Sequence, residues 1–478
     1  MHHVNNDTGR DRAGLVSLRP SADQLMAAVA ELRIRFGDAV STNRTVIEQH
    51  GHDESFHEAA EPDAVVFAES TQDVSDCVRI CHTHRVPIIA FGAGTSLEGH
   101  VAAIHGGVSI DMTHMNQILR IEPDDLDCVV QAGALRTQLQ SALAPHGLFF
   151  PVDPGADATI GGMAATGASG TTTVKYGAMR QLVLAMKVVL SDGRIISTAR
   201  RARKTSAGYD LTGLFVGSEG TLGIITELTL RLFGIPERIG GAIVQFTSVE
   251  RAVEAVTAII QLGIDVARIE LMDAEAVAAV NEYRDGELGL STNSLLLLEF
   301  HGSPETVELA ARECSEICQQ FGGGDFDWTT DEAARRRLWS ARHDAALAIR
   351  SRRPGGQMFI TDVCVPISSL ATCIAETRTE IERSGLYAPI IGHVGDGNFH
   401  VIAIIDPDRP SELEAIEEVN ASLIRRALEL DGSCTGEHGI GLGKMASLEL
   451  ELGPDAISVM GCIKSALDPL WLLNPGKV

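Results

Sequence analysis

Pro87-Ile88-Ile89-Ala90-Phe91 runs directly into Gly92-Ala93-Gly94-Thr95-Ser96-Leu97-Glu98-Gly99. An apolar run of this kind reads as a strand, and the strand ends in a glycine-rich turn. A dinucleotide fold of the Rossmann type would need glycine at position 97, where Leu97 stands. The residues that follow also lack a helical apolar stripe. What remains is a nest of closely spaced backbone amides suited to wrapping a pyrophosphate. Two further runs of small residues extend the pattern. Pro154-Gly155-Ala156-Asp157-Ala158-Thr159-Ile160-Gly161-Gly162 continues through residues 165–170, and Val216-Gly217-Ser218-Glu219-Gly220-Thr221-Leu222-Gly223 follows. Three such loops beside strands imply a large cofactor lying in close contact with backbone.

A second signal lies late in the chain, in Ile391-Gly392-His393-Val394-Gly395-Asp396-Gly397-Asn398-Phe399-His400. Gly395-Asp396-Gly397-Asn398 is turn chemistry between apolar runs. Folding the hairpin about that centre sets His393 opposite His400, with Cβ atoms about 4.5–5.5 Å apart. Two imidazoles so placed can hold one metal ion, and Glu437 in Cys434-Thr435-Gly436-Glu437-His438-Gly439-Ile440-Gly441 offers a third ligand. Either histidine alone would read as part of a plain glycine-rich hairpin. The expected metal set is His393, His400 and Glu437, which suits zinc, manganese or iron. His438, beside Glu437, is placed to act as general base, or else to support the metal ligands.

Composition narrows the setting. A net charge of −25 argues against nucleic acid and anionic membrane surfaces as partners. Nine cysteines, an odd number, include no C-x-x-C pair and suggest a reducing compartment. The polar start, residues 1–20, has no apolar signal core, and no run of apolar residues is long enough to span a membrane. The expected location is cytoplasmic, peripheral to a membrane, or the mitochondrial matrix in a eukaryote.

The periodicity predicts a helix over residues 21–36, a second one capped by Ser70 or Thr71 with Val74, Cys77, Val78 and Cys81 as its stripe, and an irregular stretch over 41–60. Strands are expected at 64–68, 87–91, 108–112, 128–131, 185–190, 194–198 and 224–233. Phe233-Gly234-Ile235-Pro236-Glu237 reads as a boundary. The expected organisation is a helical lead-in (1–57), a cofactor domain (58–236) and a substrate- and metal-binding domain (237–478). The last should be α+β, with helices on one face of an antiparallel sheet. It should include a helix over 331–351, a strand near 361–365 and a helix over 367–384.

The order of the three glycine loops resembles the FAD domain of the vanillyl-alcohol oxidase flavoprotein superfamily. His393 to His400, Thr435 to Gly441 and Asn474-Pro475-Gly476-Lys477 resemble its D-2-hydroxyacid dehydrogenase branch, over roughly residues 60–478. The resemblance implies that Gly92, Ala93, Gly94, Thr95, Ser96 and Gly99 hold the pyrophosphate. It implies that Pro154, Asp157, Thr159, Gly162, Ser169 and Gly170 line the flavin, and that Gly220 and Ile225 hold the adenosine side. Asn474 should return toward the flavin. Thr95 and Ser96 stand where covalent relatives carry an attachment histidine, so the FAD should be noncovalent. Arg342, in Trp339-Ser340-Ala341-Arg342, should clamp the substrate carboxylate.

The expected reaction is oxidation of a small 2-hydroxyacid, D-lactate first, with a hydride passing to flavin and a metal assisting. D-2-hydroxyglutarate and glycolate are alternatives within the same chemistry. A metal-dependent hydrolase and a vestigial nucleotide-binding subunit are rivals outside it. No C-x-x-C-H motif or iron–sulfur cysteine set is present, so electrons should leave to an external cytochrome, quinone or electron-transfer flavoprotein.

Overall fold

The computed structural model describes residues 18–478. The polar stretch 1–17, on which most of the expectation about the chain's start rests, lies outside the described residues. Among the described residues, no helix is long and apolar enough to cross a membrane.

The first half builds a four-stranded and a five-stranded sheet around one core. In the smaller sheet, strands Ala64–Phe67 and Ile88–Phe91 both run parallel to Val108–Asp111. Helix Thr71–His84 makes the crossover between the first two. Ser70 caps it by accepting from the Asp73 amide at 3.1 Å, and Val74, Cys77, Val78 and Cys81 form its buried stripe. Leaving the sheet, strand Ile88–Phe91 delivers the first glycine loop. The C-terminal segment runs beside this strand, pairing Leu473 with Ile88. The five-stranded sheet is antiparallel and carries the third glycine loop before strand Ile224–Arg231.

The second half is an eight-stranded antiparallel sheet. Helices cover both of its faces, not one. Leu296, Leu298 and Phe300 pack with helices Val249–Gln261, Pro304–Gln320, Ile367–Ser384 and Pro410–Glu429. Leu295 and Leu297 pack with Ala274–Tyr283, Glu332–His343 and Ala345–Ser351. Strand Ser294–Gly302 explains this: its unbroken leucine run is buried on both sides, where a half-exposed strand would alternate apolar with polar.

Other departures are local. Residues 41–60 contain a helix, Arg44–Gln49, capped by Asn43. The helix expected over 331–351 breaks at Asp344 into two. Strands Ile118–Glu122 and Phe326–Thr329 and helix Arg136–Leu143 are additional.

Candidate active site

The glycine loops converge on a cavity of about 370 Å³. Gly92, Ala93, Gly94, Thr95 and Ser96 line it, as do Pro154, Thr159, Gly162, Ser169, Gly220 and Asn474. Among the described residues, no protein acceptor takes the backbone N–H groups of residues 92–96. The loop is only half-buried and lies on the cavity wall, and closely spaced amides with no protein acceptor there suit an anion. A Cβ at Gly155 or Gly220, both on the cavity wall, would meet nothing within 4 Å. The residues present therefore fit the pyrophosphate and ring of FAD. Four residues expected here do not line the cavity. Asp157 accepts from the Thr137 amide and hydroxyl, at 3.1 and 2.6 Å. Gly170 and Gly99 are close-packing positions, where a Cβ would stand 2.6 Å from the Asp153 carboxylate and 2.9 Å from Leu442 respectively. Ile225 is buried within strand Ile224–Arg231, opposite Val188.

The second half also lines the cavity, with Ala346, Met358, Ile360, Glu437 and His438. Here the two histidines of the hairpin meet Glu437, though not in the expected register. Strand Ile390–Gly392 pairs with Asn398–Ile405 so that Ile391, not His393, lies opposite His400. Asn398 already belongs to the strand, so the loop is residues 393–397, and the Asp396 amide closes it on the His393 carbonyl at 3.0 Å. His393 thus becomes a diagonal neighbour of His400. A slip of two residues preserves the face; a slip of one would have reversed it.

The donor set fits a metal. Glu437 Oε1 lies 3.4 Å from His393 Nε2 and 3.2 Å from His400 Nε2. Each ring's Nδ1 is engaged elsewhere, His393 with Glu270 at 2.7 Å and His400 with the Thr361 carbonyl at 3.1 Å. Outer partners of this kind fix ring orientation at metal centres. Glu437 Oε2 accepts from Ser169 at 2.9 Å, which ties the carboxylate to the glycine-loop wall. Burial would lower the His393 pKa, but Glu270 and Glu437 hold it well above the usual imidazole value. Burial would raise the Glu437 pKa, yet His393 and His400 hold it well below the carboxylate range. The concentration of negative charge that favours a proton there would equally favour a divalent cation.

His438 stacks on His400 with ring centroids 5.0 Å apart. Burial pushes its pKa down to about 4, so the ring is neutral at pH 7 and able to accept a proton. Arg342 does not line the cavity itself. Its Nε donates to Glu270 at 2.8 Å, and its Nη groups have no protein acceptor among the described residues. Glu270 therefore bridges Arg342 and His393. Sequence reasoning missed Glu270, Glu219, Lys444 and the structural part played by Asp362. Glu270 carries a faint signal, as a lone carboxylate inside the apolar run Ile269–Met272.

Two family models cover most of the chain. Residues 62–199 match the FAD binding domain, and residues 235–478 match the C-terminal domain of FAD linked oxidases. The chain belongs to the FAD-linked oxidase family and is an FAD-dependent oxidoreductase. It is 50% identical over 454 residues to the probable mitochondrial D-lactate dehydrogenase of Danio rerio, covering 94% of this chain and 91% of the relative. It is 42% identical over 452 residues to the mitochondrial D-lactate dehydrogenase (cytochrome) of Arabidopsis thaliana, covering 94% and 79%. In fold it is similar to the solved 4-ethylphenol oxidase of Gulosibacter chungangensis, with a TM-score of 0.80 at 20% identity, covering 96% and 97% of the two chains. The expected vanillyl-alcohol-oxidase-type fold, followed by an antiparallel α+β half, is the one present.

Proposed function

We propose that the chain oxidises D-lactate and short aliphatic D-2-hydroxyacids to 2-oxoacids, with FAD and a divalent cation both bound. One observation carries this reading: Glu437 and His438 line the same cavity as Ala346, Met358 and Ile360 and as the glycine loops. Polar groups for a hydroxyl thus adjoin an apolar lining for a short side chain.

Bound FAD would take the hydride, and a cation held by His393, His400 and Glu437 would stabilise the alkoxide. The chain's own residues supply the rest. The neutral His438 ring accepts the hydroxyl proton. Arg342 lies outside the cavity lining but four positions before the lining residue Ala346, and its free Nη groups would reach in to hold the substrate carboxylate in a two-pronged bond. Glu270 fixes the Arg342 guanidinium at Nε and the His393 ring at Nδ1, so carboxylate holding and cation holding share one buried anchor. Electrons leave to an external cytochrome, quinone or electron-transfer flavoprotein. The names of the D-lactate dehydrogenase relatives support the substrate. We read residues 58–236 as the FAD-binding unit and 237–478 as the substrate unit.

Two measurements test this reading. A second carboxylate on the substrate would face Ala346, Met358 and Ile360, and leaving it unpaired costs several kcal/mol. D-lactate should therefore exceed D-2-hydroxyglutarate by roughly 10²-fold or more in kcat/KM with a dye acceptor. Equal values, or a preference for hydroxyglutarate, would overturn the substrate assignment. Acid precipitation should release intact FAD, because Thr95 and Ser96 offer no attachment histidine; flavin staying with the pellet would refute noncovalent binding.

A further inference from the structure

The loop carrying Glu437 and His438 is held by two buried carboxylates that reach it from opposite sides. Asp362 Oδ2 accepts from the amides of Gly436, Glu437 and His438 at 2.8, 3.0 and 3.0 Å, and from the Thr435 hydroxyl at 2.7 Å. Glu219 takes the far end. Its two oxygens accept from the Ile440 amide at 2.7 Å and the Gly441 amide at 2.9 Å.

Glu219 belongs to the third glycine loop, more than 200 positions away in sequence. Its local geometry is unusual in three ways. It is a non-glycine residue at φ +53°, a strained conformation that persists only where surroundings impose it. It is buried, and a carboxylate out of water must be compensated by hydrogen bonds or charge. Its compensation is the loop itself, together with His100 Nε2 at 3.2 Å. Its backbone is fixed too: the amide donates to the Ala165 carbonyl at 2.8 Å, and the carbonyl accepts from Asn474 Nδ2 at 2.8 Å. Ala165 and Asn474 both line the cofactor cavity, as does Glu219. One residue thus joins the cofactor wall to the loop with the proton acceptor and a metal ligand.

We propose that Glu219 is a positioning residue, which sets the distance of Glu437 and His438 from the cofactor wall. Asp362 shapes the loop, and Glu219 places it. The inference rests on the roles given above to Glu437 and His438. Removing the Glu219 clamp should leave FAD bound, since Glu219 contributes one of many cavity contacts, but should let the loop drift. A misplacement of about 1 Å can cost roughly 10²-fold in rate.

The test uses full-length holoenzyme carrying Glu219→Gln, whose amide keeps one acceptor and turns a donor toward the other N–H. Three results are expected together: unchanged FAD per chain, faster amide hydrogen exchange over residues 435–442, and anaerobic flavin reduction by D-lactate slowed roughly 10²-fold. The rate should also show an increased primary isotope effect with 2-deuterated lactate, because hydride transfer is the step that loses alignment. Glu219→Asp should restore part of the rate. Exchange or flavin reduction at the wild-type level would overturn the proposal. So would a slower rate that merely tracks lost FAD, with the remaining flavin reduced normally. His438→Ala, measured alongside, separates the two readings. If it is inactive while Glu219→Gln is normal, only the clamp fails. If His438→Ala is also normal, the role of His438 fails and the clamp with it.

Discussion

Asp362 is fully buried and gathers four donors from the loop 435–438 on one oxygen, while its other oxygen accepts from Asn398 Nδ2 at 2.7 Å. Lys444 reaches it from behind, with Nζ 3.0 Å from the Asp362 carbonyl and 3.6 Å from its carboxylate. Burial alone would raise the carboxyl pKa; His438, Lys444 and His400 instead hold it well below the ordinary carboxylate range. Deleting such a group leaves four loop donors without their acceptor and takes one of two carboxylates from Lys444, whose Nζ keeps Glu98 at 3.2 Å. Asp362→Ala should therefore cost about 3–5 kcal/mol, the usual result of breaking a buried ion pair. Urea unfolding of the two proteins measures this, and a loss below about 1 kcal/mol, the worth of an exposed pair, would contradict it. Nothing near Asp362 in sequence announces this work. Its partners lie between 36 and 82 positions away, so no local pattern could show them. The proposed metal ligands were legible for the opposite reason: two histidines bracketed a turn.

The hairpin marks what sequence can and cannot specify about an element. Turn chemistry located it, and the parity of side chains put both histidines on one face, but the pairing lies two residues from the expected register. What sets the true register is nonlocal. Gly397 sits at φ +82°, and a Cβ there would stand 2.0 Å from the Val365 carbonyl oxygen. The Val365 amide in turn donates to the Gly397 carbonyl at 3.0 Å, which locks the loop to a neighbouring segment. Gly397→Ala should thus open the loop, with a strain of order 1–3 kcal/mol. We expect weakened metal binding in a chelator competition and an unchanged flavin spectrum. Metal affinity equal to that of the wild type would show that the loop tolerates a side chain. The helix after Ser70 was readable from its cap and its buried stripe, and the helix over 367–384 from its stripe and the Gly385 that ends it. The helix pair broken at Asp344 was not, because that break is set by tertiary contacts; Arg284 reaches across to bond Asp344 through Nε at 2.7 Å.

Across the whole molecule, two sheet systems meet at one cavity, and their junction is polar. Arg268 of the eight-stranded sheet pairs with Asp153, beside the second glycine loop, at 3.0 Å. Ser169 and Glu219 reach from the cofactor side to the metal-ligand loop, while Asn474 returns from the C-terminus to the His100 and Glu219 carbonyls at 3.1 and 2.8 Å. The cofactor wall and the ligand set are nonetheless built from separate side chains, so one can fail while the other persists. Anaerobic titration with D-lactate exploits that separation most directly. The metal-loaded yellow protein should bleach as its flavin is reduced. After chelation, or with His393→Ala, the oxidised spectrum should persist on adding D-lactate, and for the wild type returning the cation should restore bleaching. Bleaching at the same rate without metal, or an oxidised spectrum unchanged by D-lactate in the metal-loaded protein, would contradict the proposed chemistry.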